Sequence, residues 1–165
     1  MIAEYEENVY FVSVRNNEAT LLTYDQNKSV GGFEPKRDYF KKTVNIDDPK
    51  LVSIYDLHFY VRYKDSVEKT ELWLVDEGRF VCHNQNVENN EVVIDVPHDA
   101  QDESWTQYDK GAALKKINLH DCTEFLVEKK FIKQNGRLVN GIIERKSVTL
   151  TEFKNSIIMN RRVNF

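Results

Sequence analysis

The sequence predicts an α+β protein: predominantly antiparallel β-sheet, built from hairpins and a meander, with one to three short helices that include a C-terminal amphipathic helix. Three observations carry this expectation. β-Prone runs recur between Asn-, Asp- and Gly-bearing turns too short to join anything but antiparallel neighbours. The stretch around Leu57 alternates with a period of two, and only the last segment repeats its apolar residues at helical spacing behind a capping box. With 165 residues, 41% of them apolar, the chain can bury a core and is expected to form a single domain over 1–165.

Taken in order, Asn8–Arg15 and Glu18–Tyr24 flank Asn16-Asn17 and read as a hairpin, because Asn tolerates the positive φ of a two-residue turn. Gln26–Gly32 reads as a loop. Pro35–Lys42 is expected to be one short helix, and Asp47-Asp48-Pro49 to open another with Asp48 as N-cap. Leu57, Phe59, Val61 and Tyr63 alternate with His58, Tyr60, Arg62 and Lys64, the pattern of a half-buried strand. Strands at Lys69–Val75 and Arg79–His83 would complete a meander.

Asn84–Asn90 is a polar loop, and Glu91–Val96 a further strand ended by Pro97. His98–Lys110 lacks apolar periodicity and reads as a long loop or a boundary between an acidic β-rich part (1–97) and a basic part (111–165). Two readings compete for 121–133. Asp121 with Glu124 forms a capping signal for a helix, whereas Phe125, Val127, Lys129 and Phe131 alternate as a strand that turns at Asn135-Gly136 into Arg137–Ile143. The β-branched and aromatic residues favour the hairpin. Thr149 and Glu152 then make a capping box, and Leu150, Phe153, Ile157 and Ile158 place a helix from about Leu150 to Met159.

Charge is unevenly divided. Residues 1–110 hold 22 acidic against 12 basic residues, and residues 111–165 hold 5 against 11. Such asymmetry points to an electrostatic partner or to two parts that dock on each other. No span of 18 apolar residues occurs, so no membrane helix is expected, and an acidic start without a signal peptide points to a cytoplasmic protein.

Candidate chemistry is sparse. Cys82-His83 and His120-Asp121-Cys122 could supply a tetrahedral zinc set, but neighbours on a strand point to opposite faces, so no metal is expected. A cysteine nucleophile would need one of the four histidines beside Cys82 or Cys122, and no spacing favours a pair. Asp95 with Glu128-Lys129-Lys130 matches the acids and lysine of a metal-dependent nuclease. However, Glu-x-Lys also occurs at Glu34, Glu144 and Glu152, so surface charge explains it more simply. No phosphate loop or serine-hydrolase elbow is present.

The reading with fewest coincidences is a non-enzymatic protein without a cofactor that binds another protein. Its expected contact surface is the acidic and aromatic loop of Asp99, Asp102, Glu103, Trp105, Tyr108 and Asp109, because aromatic anchors within an acidic rim suit a basic groove. The bias towards Asn, Lys, Ile, Tyr and Phe suggests an AT-rich source, and with it an inhibitor, immunity or phage accessory protein. The alternative is nucleic-acid binding through a basic patch of Lys129, Lys130, Lys133, Arg137, Arg161 and Arg162. A homodimer joined by sheet edges is a further option.

Overall fold

Two-residue turns set much of the architecture, and each turn carries the residue types that left-handed backbone demands. In the computed structural model, which describes residues 1–63, 72–75, 86–97, 106–109 and 112–164, Asn16 and Asn17 have φ of 51° and 62°, and Asn135 and Gly136 have 50° and 77°. At 96–97, 106–109, 112–113 and 161–164 only the backbone is described. Among these residues lie twelve strands: β1 (Ile2–Tyr5), β2 (Asn8–Arg15), β3 (Glu18–Thr23), β4 (Glu34–Pro35), β5 (Phe40–Asn45), β6 (Leu51–Tyr63), β7 (Trp73–Val75), β8 (Glu91–Pro97), β9 (Thr106–Asp109), β10 (Ala112–Asn118), β11 (Cys122–Gln134) and β12 (Arg137–Ser147). One helix, α1 (Leu150–Asn164), follows them. The protein is thus mostly antiparallel sheet with a C-terminal helix, the expected class. No helix among the described residues is long and apolar enough to cross a membrane.

The chain divides into two compact units. The first comprises Met1–Leu57, Lys129–Glu144 and the chain from Met159, and the second His58–Glu128 with Arg145–Ile158. This division does not follow the charge boundary, since both units draw on the acidic and the basic parts of the sequence.

In the first unit the strands hydrogen-bond in the order β4-β5-β3-β2-β1-β6, and every pair with a defined register is antiparallel. Register places Ala3 between Tyr10 and Ile54, and Ile2 between Phe11 and Tyr55. Neighbouring residues therefore serve opposite faces. One face buries Ala3, Tyr5, Tyr10, Val12, Leu21, Leu51 and Ile54, and the other buries Ile2 and Tyr55 with Phe131 of β11. Tyr10 stacks on Phe33 with ring centroids 5.1 Å apart, and Tyr55 meets Phe131 at 5.3 Å.

In the second unit the order is β6-β7-β8-β10-β9. Val92, Val93 and Ile94 are consecutive and all buried, as expected of a central strand covered on both faces. Helix α1 begins with the anticipated capping box: the Thr149 amide donates to Glu152 Oε2 at 2.8 Å, and the Glu152 amide returns to Thr149 Oγ1 at 3.3 Å. Phe153, one turn in, is wholly buried between Phe59 (5.8 Å) and Phe125 (5.1 Å).

Three expectations are corrected, and the choice left between two readings is decided. Pro35–Lys42 is not a helix, because β5 pairs with β3 from Phe40 to Asn45 and alternates its side chains across the sheet. Asp47-Asp48-Pro49 opens no helix either: Asn45 Oδ1 accepts the Asp47 amide and Asp48 Oδ1 accepts the Lys50 amide, both at 2.9 Å, which closes two side-chain-stabilised turns directly into β6. Of the two readings for 121–133 the favoured hairpin holds: Cys122–Gln134 form strand β11, which turns at Asn135-Gly136 into β12, while Asp121 ends a short 3-10 turn. Within His98–Lys110, Thr106–Asp109 form β9 against β10 instead of a loop. The strand expected at Arg79–His83 lies outside the described residues, and the sequence pattern announces neither β1 nor β10.

Candidate functional site

Most cations of the basic segment are already engaged inside their own unit. Lys129 Nζ lies 3.8 Å from Glu4 Oε1 and 4.3 Å from the centre of the Tyr55 ring, whose hydroxyl donates to the same carboxylate oxygen at 3.2 Å. Burial, then the charge of Glu4, holds the Tyr55 hydroxyl well above the usual tyrosine range. Lys133 belongs to no surface patch. It is fully buried, and its ammonium donates to the backbone carbonyls of Ile46 (2.6 Å) and Asp48 (3.1 Å). Desolvation lowers its pKa, opposed by the charges of Asp47 and Asp48.

In the second unit Lys116 pairs with Glu91 at 2.7 Å, and Lys154 Nζ donates to Asn90 Oδ1 at 2.6 Å. Lys115 lies 5.2 Å from the Tyr63 ring centre. Arg145 Nε donates to the buried carboxylate of Glu128, and its guanidinium covers the Tyr60 ring at 5.6 Å. Burial, then Glu128, raises the Tyr60 pKa.

These contacts decide how the candidate chemistry stands. The Glu128 carboxylate of the nuclease pattern is already tied to Arg145. Among the described residues no three His, Cys, Asp or Glu side chains gather as a metal site would require. Cys122 is the wrong kind of thiol for a nucleophile, since burial and then Asp121 push its pKa up to about 12 and leave it protonated near neutrality. Cys82 and His83 lie outside the described residues, as do Asp99, Asp102, Glu103 and Trp105 of the acidic loop. Tyr108 and Asp109 have their backbone in β9, and Arg161 and Arg162 theirs in α1.

What remains exposed is the outer edge of the first unit. β11 is held inward by Phe131 against Tyr55 and by Lys133, and the Gly136 amide ties the turn to the Val52 carbonyl at 2.8 Å. β12 pairs only with β11 among the described residues. Val139 packs inward on the Ile2–Tyr55–Phe131 cluster. Gly141, at φ +65°, then breaks the two-residue alternation, and consecutive Ile142 and Ile143 both remain outside, 45% and 52% exposed. Leu138 is 55% exposed. Arg137 and Lys130, from β12 and β11, are exposed and form no ion pair among the described residues. Sequence reasoning misses this edge as a site because Leu138, Ile142 and Ile143 read as strand-forming core; the glycine inside the strand is the one local signal. The chain matches no known family model, no curated protein and no solved structure.

Proposed function

We propose that this protein is a non-enzymatic binding protein whose partner is another protein, taken up along the outer edge of β12. The observation that carries this reading is the exposure of Leu138, Ile142 and Ile143 on a strand with a single neighbouring strand among the described residues. An open strand edge with exposed apolar side chains is a ready template for pairing with another chain. An inhibitor, immunity or phage accessory role is compatible with such an edge. The nucleic-acid alternative loses support, since Lys129 and Lys133, two of its patch residues, are engaged by Glu4 and by buried carbonyls.

The test is affinity capture from the native host with the wild-type protein and with Ile142→Lys, followed by mass spectrometry and an absorbance check for nucleic acid. A protein retained by the wild type and lost from the variant is the expected result. Equal retention by both, or co-purified nucleic acid in place of protein, overturns the reading.

A further inference from the structure

We infer that the segment docking on β12 is an extended, acidic stretch of the partner protein, added to the sheet as an extra strand. This inference rests on the proposed function and specifies the chemistry of its partner. The portion Arg137–Glu144 offers eight residues of strand edge, enough to pair with a short extended peptide through main-chain hydrogen bonds. Leu138, Ile142 and Ile143 supply apolar contacts for alternate side chains of such a peptide.

Charge selects among the occupants. Arg137 and Lys130 are exposed beside this edge without ion-pair partners among the described residues, whereas Glu144 is the only acid on the same stretch. An acidic strand would place opposite charges across the new pair, which stabilises sheets, and a basic strand would place like charges there. A second copy of β12 brings the same excess of positive charge to itself, so self-pairing is the poorer match. A polyanion such as single-stranded DNA finds these two cations here but has no backbone complement for a strand edge.

The experiment is an NMR titration of the full-length protein with two nine-residue probes, one alternating Glu and Val and the other alternating Lys and Val. The acidic probe is expected to bind about tenfold more tightly, with shifts concentrated on the amides of Arg137–Glu144 and weakened by salt. Lys130→Glu with Arg137→Glu, both surface changes, should invert the preference between probes. Equal binding of the two probes, shifts located elsewhere, or dimerisation through β12 would overturn the inference. If neither probe binds while Ile142→Lys still loses its captured protein, the acidic-strand inference fails and the partner-binding reading stands. If the variant retains that protein, both fail.

Discussion

Lys133→Met tests whether the buried ammonium holds the turn after β5 in place. Methionine keeps an unbranched chain of similar length, so the change removes the charge and its hydrogen bonds with little change in volume. The Asp48 carbonyl also accepts the Leu51 amide at 3.0 Å and keeps that partner, whereas the Ile46 carbonyl accepts from Lys133 at 2.6 Å and is left bare. An orphaned buried carbonyl costs about 1–3 kcal/mol, and lost hydrogen bonds from a charged donor cost a similar amount each. Relief from desolvating the ammonium offsets part of this. The expected net loss is about 2 kcal/mol, or about 4–8 °C in Tm for a chain of this size.

The pH dependence supplies a second readout of the same substitution. Desolvation lowers the folded pKa of Lys133 below its ordinary value near 10.5, so between those two values the unfolded chain binds more protons. Wild-type stability therefore gains a rising contribution with pH across that window, and the Lys133→Met variant would lack it. Urea melts at several pH values should show the gap between wild type and variant widening towards pH 10.5. A variant as stable as wild type at pH 7, or a gap that stays constant with pH, would refute the reasoning.

Three further outcomes are expected. Phe153→Ala should cost about 3–5 kcal/mol by chemical denaturation, because a fully buried ring between Phe59 and Phe125 leaves a cavity; a loss under about 1 kcal/mol would mean that α1 is held by something else. Tyr55→Phe should flatten the decline in stability above pH 10: the folded pKa of Tyr55 is raised, so its contribution is present below the unfolded value near 10 and is lost as pH climbs past it. An unchanged alkaline decline would count against a Tyr55 hydroxyl held up by burial and by Glu4. Cys122 should resist iodoacetamide at pH 8 in the folded protein and react once unfolded, as mass spectrometry would show; rapid labelling of the folded state contradicts a thiol pushed up to about 12.

The elements legible in the sequence are those fixed by local chemistry. Asn16-Asn17 and Asn135-Gly136 announce hairpins because few other residues accept positive φ, and Thr149 with Glu152 announces α1 because the two satisfy each other's amides. The strands that sequence reasoning misses are disguised by their packing. In β1, Ile2 serves one core face while Ala3 and Tyr5 serve the other, so no polar alternation survives to be read. In β5, Lys42 stands on the core side with its ammonium 4.7 Å from the centre of the Tyr5 ring, so a charged letter fills a place expected to be apolar. Lys133 reads as part of a surface patch for the same reason. Its carbonyl partners are 87 and 85 residues upstream, and no local pattern can show them.

Distance along the chain also explains what becomes of the charge asymmetry. Lys129 meets Glu4, Lys133 sits beside Asp47 and Asp48, Lys116 meets Glu91, and Lys154 meets Asn90 and the Glu88 carbonyl. Each contact joins the basic third of the sequence to the acidic remainder within one unit. An excess of bases near the end of a chain therefore need not be offered to a polyanion, because long-range pairing can consume it. On the proposed reading the cations open to a partner are those left over, and on the first unit's edge these are Lys130 and Arg137, on the strands that carry exposed Leu138 and Ile142. That arrangement argues for a partner with both apolar and acidic side chains, since a purely anionic ligand would leave the apolar edge in water and a purely apolar one would leave the two cations without partners.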